Sequence, residues 1–326
     1  MTFGNKGHTD EDLKPFHARF LNDLSTAKSN AVSFPCRMGS FSRHQDYLNI
    51  RLNNQGDPYV MDYSGNRTKN LEVEVLKYFA DLYRLEGDQF WGYMPQGSTE
   101  ANFQAIWFAK NFLQRKTTKA PIVLYTSSHH SSVTRSIKYM GMSANSNSEH
   151  LVPEIKNDTM IEINEDASIN LESLKKIAYP FIKAGHPILA NFTIGTTTEC
   201  GIDDLKKGSE MLRDMIGSEW EDKLWIHSDS AWCGPYLRLL KMAHDEKHIK
   251  DLATYDKLDF DFSVPGVKSL CTSIHKWIPS PFPGSVLLVK DANLMPTDSV
   301  DSKYIRGKDL TFTTYRNGHI PLFTWD

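Results

Sequence analysis

Short apolar runs separated by amphipathic stretches constrain this chain more than any other feature. "PIVLYTS" (121–127), "HPILANFTIG" (186–195), "KLWIHSDSA" (223–231), "SLCTSIHK" (269–276) and "GSVLLVK" (284–290) are each nearly unbroken in apolar residues at their centres. A strand with one wet face alternates polar and apolar; a continuous run belongs to a strand covered on both faces. Between the runs lie helical patterns. "LEVEVLKYFADLYRL" (71–85) places Val75, Leu76, Phe79 and Leu82 on one helical face. "GSTEANFQAIWFAKNFL" (97–113) does the same with Ala101, Ala105, Phe108 and Phe112, and Ser98 or Thr99 can cap it. Further helices are predicted around 10–25, from near Ser131, and over "DDLKKGSEMLRDMIG". Strands alternating with helices imply an α/β fold with a mostly parallel sheet. In such sheets ligands sit beyond the carboxyl ends of the strands.

Bulk properties narrow the function classes. The 37 basic and 40 acidic residues are spread along all 326 positions, so neither nucleic acid nor an anionic membrane is an expected partner. The polar N-terminus lacks the apolar core of a signal peptide, and no apolar run approaches the roughly 18 residues of a membrane span. A cytoplasmic protein is expected. Cys36, Cys200, Cys233 and Cys271 form no metal-ligand spacing and are expected to be small buried residues in a reducing compartment.

The polar residues at the strand ends are the candidates for chemistry. Gly97-Ser98-Thr99 opens a helix, offering free N–H groups and two hydroxyls to an anion; an ordinary helix cap would look the same. Asp229 closes the run "LWIHSDSA", where a carboxylate is costly unless paired. Capping the next turn is the plainer role. His227 is expected on the opposite strand face, which argues against a shared metal, and the small Ser230 and Ala231 leave room for a flat object. His129 and His130 follow the strand at 121–127. Lys276 follows "SLCTSIH" and precedes Trp277. A lysine in a partly apolar pocket has its charged form disfavoured, which frees the amine as a nucleophile for Schiff-base formation. Each signal alone is weak. Together an anion cup, an imidazole, an aspartate, a small residue and a lysine are the parts needed to hold pyridoxal 5'-phosphate.

These segments carry a resemblance. "LNNQGDPY", "EVEVLKYFADLYRL", "WGYMPQGSTEAN", "YTSSHHSSV", "ANFTIGTTTECGIDD", "HSDSAWCG", "SIHKW" and "RNGHIPLFTW" resemble, in order and spacing, the group II pyridoxal-phosphate-dependent amino-acid decarboxylases over about Tyr47–Trp325. "NNQGDPY", "SPFPG" and "RNGHIPLFTW" look like the histidine and serine decarboxylase branch; "GSTEA", "GTTTEC" and "HKW" look like the aromatic amino-acid decarboxylases. The resemblance implies an aspartate-aminotransferase-like fold type I large domain, a mostly parallel seven-stranded sheet flanked by helices. It also implies pyridoxal 5'-phosphate as cofactor, an L-amino acid of the histidine, serine or aromatic class as substrate, and a homodimer. By the resemblance Lys276 forms the Schiff base, Asp229 partners the pyridine nitrogen, Ala231 lies against the ring and His130 stacks on it. Ser98, Thr99, Ser273 and His275 fall near the phosphate and Thr196 near the ring, while Tyr304 falls in a mobile loop where some relatives keep a proton donor.

Three positions depart from the pattern: Ile274, Ser131 and the pair Gly284-Ser285, where relatives carry other residues. The expected organisation is an N-terminal segment (1–55) making dimer contacts and a large cofactor-binding domain (56–326). The small C-terminal domain of relatives is expected to be absent. That leaves open a non-catalytic relative acting as a binding or regulatory subunit, and a cofactor enzyme with oxidative or aldehyde-forming chemistry.

Overall fold

The computed structural model describes residues 9–30, 45–60, 67–87, 89–252, 257–278, 280–296, 300–302 and 307–326. Helices α1 (Asp10–Asn30) and α2 (Gln45–Leu48) and strand β1 (Asn53–Gln55) lead into α3 (Lys69–Leu82). Next come β2 (Trp91–Tyr93), α4 (Ser98–Lys116), β3 (Ile122–Leu124), α5 (Ser131–Met140) and β4 (Ser143–Ala144). The middle of the chain forms α6 (Leu171–Lys183), β5 (Ile188–Thr193), α7 (Leu205–Ile216), α8 (Trp220–Lys223), β6 (Leu224–Asp229) and α9 (Gly234–Asp245). It closes with β7 (Val267–Ser273), β8 (Ser285–Val289), β9 (Val300–Ser302), β10 (Gly307–Asp309), β11 (Tyr315–Asn317) and α10 (His319–Trp325).

Seven strands form the central sheet in the order β2-β8-β7-β6-β5-β3-β4. Strands β7, β6, β5, β3 and β4 are mutually parallel, whereas β8 runs antiparallel to both its neighbours. This is the mostly parallel α/β sheet that the apolar runs imply. The edge strands β2 and β4 are only three and two residues long and do not announce themselves in the sequence.

The unbroken apolar runs are divided between two cores by the two-residue period of a strand. Ile188, Ala190 and Phe192 of β5, with Leu224 and Ile226 of β6, face one core together with α3, α6 and α7. Leu189, Trp225, Cys271, Leu287 and Val289 face the other, against α4 and α5. Each large apolar side chain so buried contributes about 1.5–3 kcal/mol. With both sheet faces supplying that stabilisation, the strand ends are free to carry polar residues.

A second, two-stranded pairing ties the ends of the described chain together. Strand β1 pairs antiparallel with β11, Asn54 opposite Arg316, so the "LNNQGDPY" and "RNGHIPLFTW" segments form one ladder.

Candidate active site

Helix α4 begins at the carboxyl edge of the sheet, but its cap is not Ser98 or Thr99. Gly97 occupies the cap, at a φ of 150° that disfavours any side chain, and Ser98 is the first helical residue. The Ser98 hydroxyl is thereby released to the sheet. It lies 2.8 Å from Ser273 Oγ and 2.9 Å from Ser285 Oγ, two residues paired in register across β7 and β8. Ser285 Oγ also donates to the Thr272 carbonyl at 2.7 Å. Two of the unusual positions have their reason here. A Cβ on Gly284 would lie 2.6 Å from Ile320 Cγ2, so α10 requires glycine, and the Ser285 hydroxyl completes the triad of serines.

Asp229 ends β6, in register with Thr193 of β5 and Cys271 of β7, and is 3 % exposed. An unpaired charge so placed would be costly. Two donors face it, Asn102 Nδ2 at 2.8 Å on Oδ2 and the Ala231 N–H at 3.3 Å on Oδ1; Cys271 Sγ lies 3.5 Å from Oδ1 and closer, at 3.0 Å, to Asn102 Oδ1. His227 does not lie on the opposite face. Residues two apart in a strand share a side, and His227 Nε2 reaches Asn102 Oδ1 at 2.9 Å on the same face as Asp229. The pair is bridged by an amide; among the described residues no group of three or more His, Cys, Asp or Glu could hold a metal ion.

His130 caps α5: its Nδ1 accepts from the Ser132 N–H at 3.2 Å and lies 2.7 Å from Ser132 Oγ. Burial pushes its pKa down, and the nearby Lys276 charge adds to that against the pull of Asp229. His129, by contrast, folds back onto its own turn, with Nδ1 2.7 Å from the Thr126 carbonyl and its ring 4.4 Å from that of Tyr125.

Lys276 is half-buried, with Nζ 5.5 Å from the Trp232 ring centroid. Its neighbour Trp277 is turned outward, stacked on Tyr236 at 5.6 Å. His275 is pinned through Nδ1 to the backbone of Gly284.

Lys276, Asp229, Ala231, His130, Ser98, Thr99, Ser273 and His275 all line one cavity of about 790 Å³. Phe103, Tyr139 and Phe312 form aromatic walls, and Arg135 reaches it from α5. Thr196 is not on its lining. That hydroxyl accepts from the Gly201 N–H at 2.9 Å, closing its own loop. Tyr304 lies outside the described residues, as does Cys36. Of the other cysteines, all free, Cys271 is buried, Cys233 is partly buried and Cys200 is exposed, contrary to the expectation that all would be buried. Its loop carries it out of the core.

Asn102 went unnoticed in the sequence, and Ser285 stood out there only as a departure from relatives, not as a site residue. Asn102 lies one position after Ala101, on the face of α4 turned towards the strand ends. A polar residue beside the apolar stripe of a helix under a sheet was the available signal.

A doubly wound sheet with a lysine beyond one strand, a buried carboxylate ending the next, and hydroxyls at a helix N-terminus defines the class: a fold type I pyridoxal-phosphate protein. The donor set fits that cofactor, pairing anion-binding groups at one end with an acceptor for a ring N–H and a primary amine at the other. The family model described as the pyridoxal-dependent decarboxylase conserved domain matches residues 59–322, and the chain belongs to that family.

It is 29% identical over 307 residues to serine decarboxylase 3 of Oryza sativa subsp. japonica, covering 94% of this chain and 60% of that protein. It is 30% identical over 289 residues to the histidine decarboxylase of Morganella morganii, covering 88% of this chain and 65% of the relative. The chain thus spans a little under two thirds of the length of these relatives. In fold it is similar to L-methionine decarboxylase from Streptomyces sp.590, with a TM-score of 0.86, 22% identity, and coverage of 100% of this chain and 77% of the other. Among the described residues no helix is long and apolar enough to cross a membrane.

Proposed function

We propose that the chain carries the cofactor-binding layer of a pyridoxal-phosphate-dependent L-amino-acid decarboxylase, a carboxy-lyase that releases CO2 and leaves the amine. The observation that carries this reading is the convergence of Lys276, Asp229, His130, Ser98, Ser273 and His275 on one cavity at the carboxyl edge of the sheet.

In this reading Lys276 is the amine that holds the cofactor's aldehyde carbon, and Asp229 faces the pyridine nitrogen. Ser98, Thr99, Ser273 and His275 receive the phosphate at the start of α4, where the helix dipole adds to the attraction. Ala231 would leave room for the ring and His130 would cover it, whereas Thr196, off the cavity lining, would act on the cofactor only if its loop moved. When bound, pyridoxal phosphate supplies an electron sink for the pair left on the substrate's α-carbon. Asp229 keeps the ring nitrogen protonated, an effect of about 1.4–4 kcal/mol for an opposite charge at contact distance. Phe103 and Phe312 give the cavity an apolar side against which the substrate can lie. A proton for the α-carbon comes from Tyr304 or His130.

The substrate belongs to the histidine, serine or aromatic class, a reading supported by the serine and histidine decarboxylases among the relatives. The proposed assembly is a homodimer with contacts from 1–55, where α1 carries exposed Phe16, Phe20 and Leu21. The test is a screen of the cofactor-loaded protein against the common amino acids. CO2 and amine should appear for one of them. Ammonia with an aldehyde instead would indicate oxidative chemistry. No visible absorbance from bound cofactor and no turnover would overturn the reading.

A further inference from the structure

Seven buried or half-buried side chains form one continuous hydrogen-bonded line beneath the cavity. Trp225 Nε1 lies 2.8 Å from Ser269 Oγ, which lies 2.8 Å from His227 Nδ1. His227 Nε2 is 2.9 Å from Asn102 Oδ1. Asn102 Nδ2 is 2.8 Å from both Asp229 Oδ2 and Ser132 Oγ, and Ser132 Oγ is 2.7 Å from His130 Nδ1.

The chemistry of the groups gives this line a single direction. An indole N–H can only donate and an ionised carboxylate can only accept. Turning the Asn102 amide over would set its oxygen against the Asp229 carboxylate, so the nitrogen must face Asp229 and spend its two hydrogens there and on Ser132. The oxygen then accepts from His227 Nε2 and from the Cys271 thiol at 3.0 Å. Burial holds the His227 pKa down to about 4, so the ring is neutral. With its proton on Nε2, its Nδ1 must accept from the Ser269 hydroxyl, which in turn accepts from Trp225. At the other end the Ser132 hydroxyl accepts from Asn102 and sends its own hydrogen to His130 Nδ1. The Ser132 backbone N–H already points at that nitrogen.

We propose that Asn102 is the positioning residue of the site: its amide orients the Asp229 carboxylate and turns the Ser132 hydroxyl hydrogen onto His130 Nδ1, where it joins the Ser132 backbone N–H in holding the His130 proton on Nε2. His130 is therefore a neutral donor through Nε2 and Asp229 an oriented acceptor. What these two do for the cofactor rests on the decarboxylase reading; the proton positions do not.

The experiment uses the full chain labelled with ¹⁵N in histidine, without added cofactor, at neutral pH. Long-range ¹H–¹⁵N correlation tells which ring nitrogen carries the proton, and His130→Gln and His227→Gln variants assign the signals. Both histidines should show a protonated Nε2 and a bare Nδ1. The near-isosteric Asn102→Asp keeps an acceptor for His227 but sets a second carboxylate 2.8 Å from Asp229, where the two share one proton, so the donor to Ser132 is lost. In it the His130 Nδ1 signal should move towards a two-tautomer average, and the cofactor dissociation constant should rise about tenfold or more. A His227 or His130 protonated on Nδ1 in the parent protein would overturn the proposal. So would an Asn102→Asp variant with an unchanged His130 signal and unchanged cofactor affinity. The expected proton positions in a protein that decarboxylates nothing would support the network and sink the decarboxylase reading instead.

Discussion

Arg316 forks onto Glu72 across 244 positions of chain, its Nη2 lying 3.0 Å from Oε1 and 2.9 Å from Oε2. Both side chains are almost fully buried. The carboxylate is completed by Asn54 Nδ2 at 2.8 Å and the Met94 N–H at 2.9 Å, and the guanidinium also donates to the Gly56 carbonyl at 2.6 Å. One ion pair therefore joins β1, α3, the segment leading to α4, and β11.

Removing one charge leaves the other stranded in a dry site. Glu72→Gln is expected to destabilise the fold by about 3–5 kcal/mol, the usual cost of an orphaned buried charge. Denaturant unfolding measures it. A loss below about 1 kcal/mol would mean that water reaches Arg316.

His227 makes the protein acid-sensitive. Its folded pKa of about 4 lies below the ordinary 6.5, so between those values the unfolded chain binds a proton that the folded chain does not. Its contribution is complete above pH 6.5 and is lost as pH falls towards 4, a cost of about 3 kcal/mol. Unfolding free energies at pH 7 and pH 4.5 should differ more in the parent protein than in His227→Gln, which keeps a donor for Asn102.

Lys276→Ala tests the proposed chemistry. It removes a half-buried side chain at the cavity, so the thermal midpoint should be nearly unchanged. Borohydride should no longer fix the cofactor to the chain, and turnover should fall to background. A Lys276→Ala protein with the parent's rate would end the proposed mechanism.

Ser98→Ala removes the hydroxyl that bridges Ser273 and Ser285. Losing about 1–2 kcal/mol of hydrogen bonding at the proposed phosphate end should weaken cofactor binding roughly tenfold. Titration followed by fluorescence quenching measures this, and unaltered affinity would place the phosphate elsewhere.

Gly284→Ala should destabilise this protein by about 1–3 kcal/mol, because the new Cβ overlaps Ile320. Ile320→Ala costs about 2–5 kcal/mol by itself, and the double variant should lose less than the sum of the two. Additive losses in the double variant would show that the two positions do not touch.

Much of the fold was legible because burial leaves a mark on composition. Strands β3, β5, β6, β7 and β8 were visible as apolar runs, since a strand covered on both faces has no polar side to interrupt it. Helices α3, α4, α5 and α7 were visible through their stripes. The short edge strands β2 and β4 were not, and neither was the reversed direction of β8, because a strand's own residues do not report which way it runs.

The same division holds at the site. The sequence by itself placed Asp229 and Lys276 at or just beyond strand ends and the Ser98–Thr99 pair at the start of a helix, because apolar runs and a helical stripe mark where those elements stop and begin. Only the tertiary structure decided how they are held. Asn102 touches Asp229 from 127 positions away and His227 from 125, and Ser98 meets Ser273 and Ser285 across 175 and 187. Hydrogen bonds reach about 3 Å, and no local pattern reports which distant groups the packing of α4 against the sheet brings within that reach.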